Sequence, residues 1–452
     1  KKYLPLNYIS VMIGIGVFLR LAYILFTPVW CRQHDVIDFG TGIGHAGYIE
    51  YLFEHKALPD FDPREKWAFF QPPLHHIIAA IWMKINVRLG ILYRQAQENV
   101  QVLSLFYTGC IMIFSYYIFK MSGLKKWGMR VACSIIVFSP VFILMSGSLN
   151  NDPLCIALQV AAIYFALKWY QQPSYLSIIL LAFCIGASMM TKVSGGSVAP
   201  AVAALFLLRL MKADEEESWS VLHVLHHIKK YILQFLVFGV ICIPIGLWFP
   251  IRNLIRYQIP LSYTPAVGEG LSQYSILRRI FDLRMNSVYP AMINNGDAYD
   301  EYNVFLGMIK SSLFGEYNFS VMTGLVTPFS VVLFLAAVVL ALLAFGATLY
   351  FLFHKNSKMS VPDKWFFGIF YLSQLFVYFF FAFKQAYFSS QDIRYVAGIL
   401  VPQSLFLGLL ADRFHEDPTP KGKAVFTTIV ICSQLFAICS TLIYFGIGLV
   451  RS

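Results

Sequence analysis

Charge is what this chain has least of. Only 13% of its 452 residues are Asp, Glu, Lys or Arg, against 58% hydrophobic residues and a mean hydropathy of +0.64. So few charges cannot clothe a soluble fold of this length, so the composition excludes one and implies a polytopic membrane protein. Cysteine is nearly missing from polar segments. Seven of the eight (Cys110, Cys133, Cys155, Cys184, Cys242, Cys432 and Cys439) lie inside apolar runs and only Cys31 does not. No disulfide framework follows. The chain also lacks a glycine-rich phosphate cradle, a CxxC pair, a nucleophile elbow and any repeat of about 20–50 residues. The formal net charge of +11 is no nucleic-acid signal either, because cytoplasmic loops of membrane proteins are normally rich in Lys and Arg. No nucleic-acid partner is expected.

What is present is a series of long apolar runs. Runs long enough to span fall at about 6–29, 98–120, 131–148, 153–170, 174–190, 196–211, 230–250, 330–353, 365–383, 395–411 and 424–450. The expected fold is therefore all-α with about eleven transmembrane helices, read as one membrane domain over 1–452. The first run is too long for a signal-peptide core and reads as a retained anchor. Lys1, Lys2, Lys120, Lys125, Lys126, Arg130, Lys229, Lys230, Lys355, Lys358, Arg413, Lys421 and Lys423 then share one side, which the charge rule makes cytoplasmic. Polar loops at 30–97 and 251–329, the turn Ser148–Asp152 and the stretch Lys384–Arg394 fall outside. Residues 72–90, PPLHHIIAAIWMKINVRLG, have a short apolar core closed by Lys84 and Arg88 and read as an interfacial helix.

Candidate functional residues crowd those external segments. Asp35, beside His34, stands just past the first span with no structural duty apparent from its neighbours, and suits a base acting on a hydroxyl. Asp38 precedes apolar residues at helical spacing (Phe39, Ile43, Ala46, Ile49, Phe53) and reads as the N-cap of an amphipathic helix. Asn150, Asn151 and Asp152 fill a tight turn. Asp152-Pro153 is an ordinary helix start, with Asp as cap, but it also lies on the face that carries Asp35. Arg252 with Asn253, Arg278, Arg279, Arg284, Lys192 and Arg394 near Asp392 are cations where the charge rule disfavours them, which points to phosphate binding. His75 and His76 face the polar layer in this reading. They would hold a metal only with a third ligand from His34, His45, Asp35 or Asp62. Plain interfacial anchoring is the alternative, no other cofactor is implied, and a divalent metal stays open. The run Asp214–Glu217 with His223, His226 and His227 reads as a solvated cytoplasmic segment. Asn318-Phe-Ser matches a glycosylation acceptor, informative only in a eukaryotic host.

In order and sidedness, these segments resemble the GT-C class of membrane glycosyltransferases, in the branch of protein O-mannosyltransferases and lipid A aminoarabinose transferases. The resemblance rests on His34-Asp35, a helix at Gly44–His55, Pro72-Pro73-Leu74, Asn151-Asp152, Thr191-Lys192, Trp248 with Arg252-Asn253, and Asp392-Ile393-Arg394-Tyr395 followed by Pro402. It implies a polyprenyl-phosphate-linked sugar donor, a protein, glycan or lipid acceptor, and an inverting transfer on the external face. Asp35 would be the base or acceptor-positioning acid and Asp152 a second acid. Arg252, Arg394 and Lys192 would meet the donor phosphate, with His34, Asn151, His75, His76, Asn253 and Asp392 lining the site. The sequence departs from the family where Val36 follows Asp35 in place of a second acid, and the large C-terminal soluble domain of some relatives is not expected from these residues. The family's distribution points to a bacterial plasma membrane, or to an endoplasmic reticulum membrane with a luminal site if the host is eukaryotic. The competing readings are a transporter or lipid flippase, whose polar groups belong near the midplane, and a non-catalytic partner in an envelope assembly.

Overall fold

The computed structural model describes residues 8–29, 38–211, 221–261, 263–266, 270–285, 287–290, 302–316, 326–354 and 359–451, with backbone alone at 221–228, 230 and 448–451. Every regular element among them is helical. The chain opens with α1 (Tyr8–Phe26), then three short helices, α2 (Gly44–His55), α3 (Leu74–Arg88) and α4 (Tyr93–Glu98). Next come α5 (Gln101–Met121), α6 (Lys126–Phe138), α7 (Pro140–Ser146), α8 (Asp152–Gln171), α9 (Tyr175–Thr191), a 3-10 turn at Val193–Val198 and α10 (Ala199–Leu210). They are followed by α11 (Val221–Tyr257), α12 (Ile276–Phe281), α13 (Val304–Phe314), α14 (Val326–Phe353) and α15 (Val361–Lys384). Two 3-10 turns, Phe388–Gln391 and Ile393–Ile399, lead into α16 (Leu400–His415), and α17 (Pro420–Arg451) closes the bundle.

Among the described residues nine helical segments are long and apolar enough to cross a membrane, or ten when the bent pair α6–α7 counts as one. The count of eleven is thus not reached by length. The shortfall is α9, a 17-residue apolar helix, about 26 Å long at 1.5 Å per residue and a little under a hydrocarbon core of roughly 30 Å. It returns antiparallel beside α8, with Ser188 Oγ donating to the Cys155 carbonyl at 2.9 Å. Residues 72–90 do not form a span. α3 is 15 residues long and packs on α2 in a small separate core of Tyr48, Ile49, Leu52, Phe69, Ala79 and Met83.

The α6–α7 break has a local cause. Ser139 is extended and Pro140 brings no N–H, so the span bends by 43° and carbonyls near the break lose their helical donors. In lipid each must find another partner. Buried Arg20 of α1 donates to the Val137 carbonyl at 2.8 Å, and Ser440 of α17 to that of Phe138 at 2.7 Å. α6 meets α16 at a contact of small residues. A Cβ on Gly408 would lie 2.8 Å from the Gly128 carbonyl, so only glycine lets the two backbones approach this closely.

The bundle has two chemically different ends. At one, Lys125 pairs with Glu416, its N–H donates to Asp412 at 2.6 Å, and Arg413 meets Tyr350. At the other gather α2, α3, the start of α8, the ends of α9 and α11, and the 3-10 turns near 388–399. One capping expectation fails there. The cap position of α2 is Ile43, not Asp38, because the chain first turns through Gly40, Gly42 and Gly44, all with positive φ, before helix can begin. The Asp38 carbonyl instead accepts from the Thr41 hydroxyl at 2.8 Å.

Candidate active site

The Asn150–Asp152 turn is pinned from three sides. Ser104 of α5 donates to the Ser148 carbonyl at 2.6 Å, His75 of α3 bonds the Leu149 carbonyl at 2.9 Å, and Asn151 Nδ2 donates to the Thr191 carbonyl at 2.6 Å. Asp152 is the first residue of α8, with Pro153 in the first turn. Its carboxylate does not cap the helix as the Asp-Pro pattern suggested. It forms an ion pair with Lys192, and Arg394 Nε lies 3.9 Å from its other oxygen. Arg394 Nε is 3.4 Å from Asp392, whose carboxylate also accepts the Arg394 backbone N–H at 2.9 Å. Tyr395 completes the cluster, with its hydroxyl 3.0 Å from Arg394 Nη2 and its ring 4.5 Å from Lys192 Nζ.

Two acids and two bases therefore form an electrically closed network. Side-chain exposure falls from 16% at Lys192 to 4% at Asp152, 2% at Arg394 and zero at Asp392. Lys192 is the most exposed of the four charged members. Charges buried to this degree persist only when paired and hydrogen-bonded, and here each has a partner of opposite sign.

Arg252 is half-buried at the end of α11, among the residues that clamp the first polar segment. It donates to the Pro59 carbonyl at 2.7 Å and to Asn253 Oδ1 at 3.0 Å, Arg256 pairs with Asp60, and Arg64 reaches the Tyr257 carbonyl at 3.3 Å. Asn253 itself is buried. The other arginines of that polar segment are engaged as well. Arg279 is 2% exposed and bonds the Ala382 carbonyl at 2.9 Å, while Arg278 and Arg284 both pair with Asp282. His34 and Asp35 lie outside the described residues, as do Asp214–Glu217 and Asn318.

The histidines depart from the expectation. His75 and His76 do not face a polar layer, being fully buried. His76 Nε2 is 2.9 Å from His45 Nδ1, the two rings are parallel within 2°, and Tyr48 stacks on His76. Burial above all pushes His75 down to about 4 and His76 well below its ordinary value, so both are neutral near pH 7. A base whose folded pKa is depressed adds stability above its unfolded pKa, about 6.5, and loses it as pH falls through the folded value. The melting midpoint is expected to drop between about pH 6.5 and pH 4. The double variant His75→Gln/His76→Gln should show a shallower drop, and equal slopes for both proteins would contradict this account. Among the described residues no group of three or more His, Cys, Asp or Glu is placed to hold a metal ion.

Tyr48, Asp60 and Arg256 were missed as site-end residues by sequence reasoning, and Tyr395 was named there only as part of the Asp392–Tyr395 pattern, with no role of its own. Tyr395 had a signal, since an aromatic beside an out-of-place arginine suggests a cation–π contact. The others are recruited by the fold, and no local pattern marks them.

The geometry can be set against known proteins. Residues 71–248, less than half the chain, match the family model for dolichyl-phosphate-mannose-protein mannosyltransferases. No curated protein matches by sequence. Among solved structures, the archaeal oligosaccharyltransferase AglB from Archaeoglobus fulgidus, in complex with an inhibitory peptide and a dolichol-phosphate, superposes with a TM-score of 0.53 at 12% identity. That match covers 98% of this chain but only 56% of AglB, so the chain spans little more than half the length of that relative. ArnT from Cupriavidus metallidurans bound to undecaprenyl phosphate superposes with a TM-score of 0.50 at 12% identity, over 99% of this chain and 77% of ArnT. An all-helical bundle with its buried charge cluster at one end, superposing over nearly its whole length on these enzymes, has the GT-C glycosyltransferase fold.

Proposed function

We propose that the chain is a membrane glycosyltransferase that moves a sugar from a polyprenyl-phosphate-linked donor to an acceptor at the end of the bundle where Asp152, Lys192 and Arg394 meet. The observation that carries this reading is the position of that network. It lies where apolar helices stop, so a donor tail can stay in lipid while its phosphate reaches fixed cations. In the reaction the acceptor oxygen bonds the anomeric carbon from the face opposite the phosphate, the bond from that carbon to the phosphate oxygen breaks, and polyprenyl phosphate leaves with the electron pair. The configuration inverts, and the acceptor proton passes to a carboxylate, which we assign to Asp35. Asp152 is the second acid, acting by holding Lys192 and Arg394 in place. Arg252 is the donor-phosphate contact on the α11 side, with Asn253 fixing its guanidinium. His75 and Asn151 position the turn that carries Asp152. Basic residues at the opposite end, Lys125 and Arg413 among them, favour an external site by the charge rule.

Turnover of a radiolabelled polyprenyl-phosphate sugar by purified protein in detergent tests the reading. Wild type is expected to bind the donor and release polyprenyl phosphate. Arg252→Ala should weaken donor binding roughly tenfold to a hundredfold, the worth of about 1.5–3 kcal/mol for a charged hydrogen bond. If wild type neither binds nor turns over any lipid-linked sugar, the enzyme reading falls.

A further inference from the structure

We propose that the groove between α2 and α3 is a binding site for an anionic glycerophospholipid of the surrounding bilayer, separate from the site of sugar transfer. The groove encloses about 310 Å³ and is lined by Leu52, Phe53, Leu58, Ile77, Ala80 and Ile81, with Lys56 and Lys84 as its charged members. Apolar walls fit an acyl chain, and the two lysines of the lining fit a headgroup phosphate.

Three further observations point the same way. Partial burial, and then the charges of Lys56 and Arg88, hold Lys84 below its ordinary pKa, so neighbouring cations repel it. A phosphate there offsets that repulsion. Lys56 ends α2 in the left-handed region at φ 55°, its N–H returning to the Leu52 carbonyl at 3.1 Å. Glycine or asparagine would fill that position at lower conformational cost, so the chain holds a lysine where the backbone does not favour one. Finally, the groove opens onto an apolar outer face. Ile81, which lines it, is 54% exposed, and Ile85, Leu89 and Leu92 extend that exposed strip. A strip of this kind lies in the bilayer boundary, where a phosphate meets lysines and its chains meet isoleucine and leucine.

The Lys56 position supplies a clean variant. Lys56→Gly removes the charge while easing the backbone, and Lys84→Met keeps the apolar stem, so neither should unfold α2 or α3. The protein is purified, exchanged into lipid-free detergent, and titrated by native mass spectrometry with phosphatidylglycerol, phosphatidylcholine of the same chains, and undecaprenyl phosphate, with no sugar donor present. Wild type is expected to prefer phosphatidylglycerol over phosphatidylcholine by on the order of thirtyfold, about 1 kcal/mol for each lysine. The double variant should lose most of that preference with its melting midpoint unchanged. Equal retention of the two glycerophospholipids overturns the proposal, as does a preference that survives in the double variant. Retention of undecaprenyl phosphate alone, sensitive to the same two lysines, also overturns it by assigning the groove to a different lipid. Because no transfer is measured, these outcomes do not depend on whether the chain is a glycosyltransferase.

Discussion

Replacing Asp152 with alanine should cost about 3–5 kcal/mol of stability. The carboxylate is 4% exposed and has two cationic partners, Lys192 and Arg394, themselves 16% and 2% exposed. Its loss leaves Lys192 half-buried beside the Tyr395 ring without its carboxylate partner, and takes from Arg394 one of the two carboxylates near its guanidinium. The variant to set against it is Asp152→Asn/Lys192→Met, which removes one charge of each sign and keeps most of the volume. If the cost of Asp152→Ala comes from an uncompensated buried cation, the double variant should recover more than half of it, and the two changes will be strongly non-additive. The measurement is the shift in thermal midpoint of purified protein in detergent, for Asp152→Ala, Asp152→Asn, Lys192→Met and the double variant, the last three forming the cycle. An Asp152→Ala protein as stable as wild type would show that the network carries no structural weight.

That network also marks where reading the sequence reaches its limit. The long apolar runs were legible because lipid demands length and apolarity, and these are local properties; so the spans appear close to where hydropathy places them. α2 at Gly44–His55 was legible from apolar residues at helical spacing and from the family resemblance. Its cap was not, because an apolar periodicity starting at Phe39 cannot register three glycines whose positive φ delays the helix to Gly44. Asp152, Lys192, Arg394 and Asp392 were each picked out as charges in unusual places. Nothing local states that they neutralise one another, since that depends on α9 returning beside α8 and on the 3-10 turn at Ile393–Ile399 packing against α8. The histidines show a different limit. Pro72-Pro73-Leu74-His75-His76 reads as polar and interfacial because imidazole is counted as hydrophilic, yet buried neutral imidazoles stack on Tyr48 and on one another as flat, nearly apolar plates. A hydropathy scale carries one value for histidine and cannot tell the two states apart.

The largest effect on activity is expected from Asp35. Of the acids proposed for the site, Asp152 has its oxygens committed to Lys192 and Arg394, and Asp392 is fully buried against Arg394 with its other oxygen on a backbone N–H. Neither is open to an acceptor hydroxyl. A base must come within hydrogen-bond reach of the proton it takes, and our proposal gives that role to Asp35 of the first polar segment. Asp35→Asn keeps the size and the acceptor carbonyl but cannot take a proton, so transfer to a hydroxyl acceptor should fall by roughly 10²–10⁴. Donor binding should stay within about twofold, because the phosphate contacts assigned to Arg252 and Lys192 are untouched. Single-turnover transfer with saturating donor, read beside equilibrium donor binding, separates the two effects. Asp35→Asn with wild-type turnover would remove Asp35 as the base. Loss of donor binding along with turnover would instead make it a structural residue of the first polar segment. If the acceptor is itself a phosphate, already anionic at pH 7, it needs no proton removed, and Asp35→Asn should then cost about tenfold or less, as expected for a group that only positions. The size of the loss in this one variant therefore also reports the acceptor's chemical class, hydroxyl or phosphate.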